Sequence, residues 1–197
     1  RIFYRLGNDP AFEQRLLVVW QTLLRQYAKR GEGPIALEDP IARLHPLRNQ
    51  KSAYELDQLR QAAAIAVEAH QLAIDLARPG RWEYEIQAEI DRLFRLRGGW
   101  GPGYSSIVAT GDNACILHYI DNQSQLRDGD LLLIDAGCAW NYYNSDITRT
   151  FPVNGRFSRE QQILYELVLE AQTQAIAEAK PGNAFQAVHD RAVQVLS

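Results

Sequence analysis

The chain alternates between stretches with an apolar residue every three or four positions and shorter stretches that repeat every two. Over residues 11–29, Phe12, Leu16, Val19, Leu23 and Tyr27 recur at helical steps, which predicts an amphipathic helix. Asn8-Asp9-Pro10 supplies its start and Arg30-Gly31-Glu32-Gly33-Pro34 its end. Ile2-Phe3-Tyr4 reads as the end of a strand, and residues 31–50, punctuated by glycine and proline, read as a linker. A long helix then opens at Ser52-Ala53-Tyr54-Glu55, where Ser and Glu form a capping box. It runs to Arg78-Pro79-Gly80, where proline stops it. A second helix covers residues 82–97. Strand-type segments follow at 105–109, 114–120, 131–139 and 142–151. Ser158-Arg159-Glu160-Gln161 is another capping box, opening a helix that ends at Lys180-Pro181-Gly182, and a last helix runs from 184 onward.

This order repeats itself. A capped long helix, a Pro-Gly break and a second amphipathic helix occupy residues 52–97 and again 158–197. The first copy is followed by strands; the second reaches the end of the chain where strands are due. A duplicated unit of helices and sheet, half of whose sheet lies outside this chain, is one reading; chance likeness of two helical hairpins is the other.

Composition narrows the function. At 46% hydrophobic and 23% charged residues, the chain is of globular type. A net charge of −3 leaves no basic footprint for nucleic acid or an anionic membrane. No apolar run reaches the roughly 18 residues of a membrane span. Methionine is absent throughout, and the opening has no signal-peptide layout, which points to a fragment or processed chain with the cytoplasm as default location. Cys115 and Cys138 are too few for a disulfide framework and read as small buried thiols in strands.

Chemistry concentrates at two aspartates. The run Leu131-Leu132-Leu133-Ile134 ends in Asp135, and a charge directly after four core-type aliphatics is costly unless compensated. A second strand leads to Ser145-Asp146. With a turn centred on Trp140-Asn141, Ala139 would face Tyr142, Gly137 would face Asn144, and Asp135 would face Asp146 on one side of the hairpin. Opposed Cβ atoms in such a pair stand about 4.5–5.5 Å apart. A divalent cation would remove the repulsion, since hard cations take carboxylate oxygens. Two other readings stay open here: one aspartate caps a turn while the other is exposed, or the two form a metal-free catalytic pair of glycosidase type, separated by roughly 5–9.5 Å.

Asp135-Ala136-Gly137 followed by Ser145-Asp146-Ile147-Thr148-Arg149-Thr150-Phe151-Pro152-Val153 resembles the metal-binding hairpin of the bacterial Xaa-Pro aminopeptidases, within the pita-bread family that also holds prolidase and methionine aminopeptidase. Ile116-Leu117-His118-Tyr119-Ile120-Asp121-Asn122 and Tyr104-Ser105-Ser106-Ile107-Val108 resemble neighbouring strands of that family. The resemblance implies an α+β pita-bread fold whose first half occupies residues 47–197, with residues 1–46 the end of an N-terminal domain and a linker. It implies two divalent metal ions, usually Mn²⁺, bridged by water or hydroxide. Asp135 would bind one metal and Asp146 both. His118 would contact substrate and help stabilise the tetrahedral intermediate, and Tyr104 would line the site. The implied partner is a peptide with proline at its second position, with no nucleic acid or membrane, in a possible homo-oligomer. The family's remaining ligands, one His and two Glu, find no match in this chain; His189 fits a helix surface better than a ligand. The chain alone is therefore expected to bind metal weakly and to be inactive. The rival functions are an Xaa-Pro dipeptidase and a non-catalytic pita-bread binding module.

Overall fold

The computed structural model describes residues 1–31, 33 and 36–197. It divides into two compact units, Arg1–Leu56 and Asp57–Ser197. In the first, β1 (Ile2–Phe3) pairs in parallel with β2 (Leu37–Glu38). Between them runs α1 (Pro10–Arg30), whose N-cap Asp9 accepts from the Phe12 amide at 2.9 Å; Gly31 closes it in the left-handed conformation. The segment 31–50 is more than the expected linker, because it carries β2 and a second helix, α2 (Ile41–Asn49). Glu32, Pro34 and Ile35 of that segment, two of which were assigned to the end of the first helix, lie outside the described residues.

The second unit is built on α3 (Ala53–Leu76), all but its first turn, and α4 (Glu83–Leu96) laid against a three-stranded antiparallel sheet. The capping box at the start of α3 is present, with reciprocal bonds of 2.7 and 3.3 Å between Ser52 and Glu55. Alanines at 62, 66, 69 and 73 form the buried stripe of α3. Their small side chains let the helix lie close to its neighbours, and larger residues on α4 (Ile86, Ile90, Phe94) fill the remaining core.

The sheet has the order β3 (Ile107–Thr110), β4 (Leu131–Ala136), β7 (Ile147–Pro152). In β4 the alternation of a strand is complete: Leu132, Ile134 and Ala136 are buried against the helices, and Leu131, Leu133 and Asp135 face the other side. Segment 114–120 is not the expected strand. A 3-10 turn, Gly111–Cys115, leads into an irregular loop in which His118 has φ 56° and Asn122 φ 49°. Left-handed residues at both points break the extended conformation that the apolar run Ala114–Leu117 suggests. A short hairpin, β5 (Ala139–Trp140) and β6 (Tyr143–Asn144), joins β4 to β7. The capping box at Ser158 starts α5 (Arg159–Glu178), which packs against α6 (Phe185–Leu196).

On α4 the carboxyl of Asp91 is half-buried, and its Oδ1 has no hydrogen-bond partner among the described residues. Burial raises its pKa above the usual carboxylate range. A raised carboxyl stabilises the fold only while neutral, so this contribution is complete below about pH 4 and is lost as pH rises through the raised value. Asp91→Asn is expected to lift the thermal midpoint at pH 7 by about 1–3 °C, a modest gain because the group is half solvated. The gain should disappear in a scan near pH 3.5, roughly the ordinary carboxylate range; an equal gain at both pH values would rule out ionisation as its cause.

Candidate metal centre

The two aspartates meet, though not in the register the sequence suggested. Asp135 lies opposite Thr148, and Ala139 lies opposite Asn144 rather than Tyr142. The turn is centred one residue later, on Asn141 and Tyr142, both at positive φ (46° and 70°). Two consecutive left-handed residues are what a two-residue hairpin turn matching the strand twist requires. Asp146 precedes β7 by one residue and stands two residues from Thr148, on the same side of the strand. It is therefore a diagonal rather than a direct neighbour of Asp135.

Tyr104 closes the gap between them. Its hydroxyl lies 2.5 Å from Asp135 Oδ1 and 3.0 Å from Asp146 Oδ1. A phenol carries one proton and can donate to only one of these oxygens at a time, so two carboxylates compete for a single donor. Burial, reinforced by both hydrogen bonds, holds the Tyr104 phenol well above the ordinary tyrosine range.

Glycines set this geometry by allowing backbone to touch backbone. The tract preceding Tyr104 runs alongside residues 137–139: Trp100 N donates to Ala139 O at 2.7 Å, Ala139 N to Gly101 O at 2.9 Å, and Gly103 N to Gly137 O at 2.8 Å. A Cβ on Gly137 would stand 1.8 Å from the Ser145 carbonyl oxygen and 2.8 Å from Tyr104 Cε1. Ser145, buried, ties the two halves of the hairpin: its Oγ accepts from Cys138 N at 2.9 Å and its amide donates to Cys138 O at 3.1 Å.

The pair opens into a cavity of about 360 Å³ lined by Tyr104, Ser105, Ile107, His118, Ile120, Asp135 and Asp146. All four residues singled out in the sequence thus share one cavity. A second cavity of about 300 Å³ also reaches His118 and Asp135, and carries Ile107, Leu117, Leu133 and Cys115 on its walls. Cys115 is exposed rather than buried, because the strand expected around it is a 3-10 turn; Cys138 is buried as expected. His189 is exposed on α6, and His70 is buried in α3 with Nδ1 bonded to the Ala66 carbonyl at 2.8 Å. Among the described residues no group of three or more His, Cys, Asp or Glu is placed to hold a metal ion.

Sequence reasoning missed Glu83. It is fully buried and accepts four hydrogen bonds, yet at the first turn of a helix it reads as an ordinary acid complementing the helix dipole. Its partners lie 27–41 residues further along the chain, beyond any local pattern.

Residues 57–197 match the model of metallopeptidase family M24. The chain belongs to metallopeptidase family M24. Among M24 relatives, it is 47% identical over 152 residues to an Xaa-Pro aminopeptidase of Haemophilus influenzae, covering 77% of this chain and 35% of that protein. It is 42% identical over 196 residues to the Xaa-Pro aminopeptidase of Escherichia coli, covering 99% of this chain and 44% of the other. The solved Pseudomonas aeruginosa aminopeptidase PepP superposes with a TM-score of 0.91 at 46% identity, over 100% of this chain and 44% of that one. The fold is accordingly the α+β pita-bread fold of this M24 branch. The chain spans less than half the length of these relatives. No described helix is long and apolar enough to cross a membrane.

Proposed function

We propose that this chain contributes one half of the catalytic centre of a metal-dependent aminopeptidase that releases an N-terminal residue preceding proline. The observation carrying this reading is the convergence of Asp135 and Asp146 on one hydroxyl, beside His118, at the floor of an open cavity. The donor set fits the metal: two carboxylates compete for one proton, and hard oxygen ligands suit Mn²⁺ or a similar divalent ion. The names of the similar proteins from Haemophilus influenzae and Escherichia coli support the same substrate class.

In this reading Asp135 and Asp146 would hold the divalent ions as carboxylate ligands. One His and two Glu from outside this chain complete the set. The metals would polarise the scissile carbonyl and acidify a water as nucleophile. The chain's own residues do the rest. Tyr104, kept protonated, lies between the two carboxylates and donates its single hydroxyl proton to one of them at a time. His118 offers an imidazole N–H to the substrate carbonyl, where charge develops in the transition state. Ile107 and Ile120 form the apolar wall beside the reacting groups.

Two measurements test it. Mn²⁺ calorimetry on the 197-residue chain should give a dissociation constant weaker than about 1 µM, because two carboxylates are an incomplete set; sub-micromolar binding would contradict the half-site. The full-length protein should cleave an Xaa-Pro-Yaa tripeptide. Strict preference for the Xaa-Pro dipeptide would replace the aminopeptidase by a dipeptidase, and no cleavage of either would favour a binding module.

A further inference from the structure

A single buried carboxylate collects the loop that carries His118. Glu83, fully buried at the start of α4, accepts at Oε1 from Thr110 N (2.8 Å) and Asn113 Nδ2 (3.0 Å). At Oε2 it accepts from the Tyr119 hydroxyl (2.8 Å) and Ser124 N (2.8 Å). One turn along α4, Gln87 Oε1 accepts from Asn122 Nδ2 at 2.9 Å. Asn122 is buried and also bonds β3 and the residue before it, accepting from Val108 N at 2.9 Å and donating to Ser106 O at 2.8 Å. The first turns of α4 thus hold residues 110–124 at several points.

His118 sits within that span. It is exposed, while Tyr119 next to it is buried with its hydroxyl on Glu83. The φ of His118 is 56°, a conformation unfavourable for a residue with a side chain and one that persists only where the surroundings over-determine it. Fixing Tyr119 inward fixes the peptide that precedes it, and with it the exit direction of the His118 side chain. We infer that Glu83 and Tyr119 are positioning residues for His118, their buried hydrogen bond holding its backbone so that the imidazole faces Asp135, Asp146 and Tyr104. This inference rests on the reading of His118 as the group that contacts substrate.

Tyr119→Phe is the discriminating variant. It keeps the ring in the core and leaves Glu83 with three donors, so the fold should survive. In the full-length protein acting on an Xaa-Pro-Yaa tripeptide, kcat should fall about tenfold with KM changed less than about twofold, the signature of lost orientation. In a His118→Ala background the same substitution should have no further effect, because the group it orients is gone. The isosteric Glu83→Gln should follow the same pattern. Equal losses in both backgrounds would overturn the inference and leave Glu83–Tyr119 as structural. If the unmutated protein cleaves no peptide, the functional reading fails on its own, and the His118 resonance in ¹³C-histidine NMR decides instead. A shifted or broadened ring signal in Tyr119→Phe supports positioning; a spectrum superimposable on the parent's overturns it.

Discussion

Replacing Gly137 by alanine should cost the protein about 3 kcal/mol or more, at or above the upper end of the roughly 1–3 kcal/mol usual when a buried atom is forced into occupied space. The new Cβ would lie 1.8 Å from the Ser145 carbonyl oxygen and 2.7 Å from its carbon. Both are backbone atoms pinned by the Cys138–Ser145 bonds, so no side-chain rotation relieves the clash. The third contact, 2.8 Å to Tyr104 Cε1, offers relief only by pushing the phenol away from Asp135 and Asp146. Thermal unfolding should show a midpoint lowered by about 10 °C or more. Gly129→Ala is the control: nothing lies within 4 Å of its Cβ, and only its φ of +85° opposes alanine, at about 1–2 kcal/mol. A Gly137→Ala midpoint no lower than that of the control would show that the hairpin can spread without loss.

Asp146→Asn should move stability and activity in opposite directions. With EDTA present, the aspartate pair shares one donor, and the amide both removes a negative charge and supplies a second donor. Asp146 is exposed, so the gain is limited to about 1 kcal/mol or less. With metal present, losing a carboxylate that, on the proposed function, would hold the ions should remove several kcal/mol of transition-state stabilisation. At about 1.4 kcal/mol per decade, kcat/KM on an Xaa-Pro-Yaa tripeptide should fall at least about 10³-fold. Retention of about a tenth of the activity would exclude Asp146 as a metal ligand on the same scale. A lower midpoint in EDTA would show that the pair is not in conflict.

Much of this molecule is legible locally. Helix starts at Asp9, Ser52 and Ser158 are written in a few adjacent residues, and the structure forms all three caps. The alternation of β4 places Asp135 on the uncovered face without knowledge of its partners. What was misread depends on backbone conformation or on distance along the chain. The apolar run before His118 suggests a strand, but only φ distinguishes a strand from the turn that forms. The hairpin register turned on whether the left-handed pair was Trp140-Asn141 or Asn141-Tyr142, and tyrosine is not a residue from which positive φ is expected. Pro46, taken as a sign of linker, sits inside α2. Glu83 became visible only when the segments it joins were brought together.

The contrast between the two thiols gives the protein an internal clock for its ligand hairpin. Cys115 is open to solvent. Cys138 is sealed where the glycine tract meets the hairpin, so closely that a Cβ on Gly99 would come within 2.5 Å of its sulfur, and burial pushes its thiol pKa up. A water-soluble alkylating reagent therefore consumes Cys115 at once, whereas Cys138 waits for the seam to part. The slow phase of modification counts openings of the strand pair that carries Asp135 and Asp146, and any ligand that locks those carboxylates together will lengthen it.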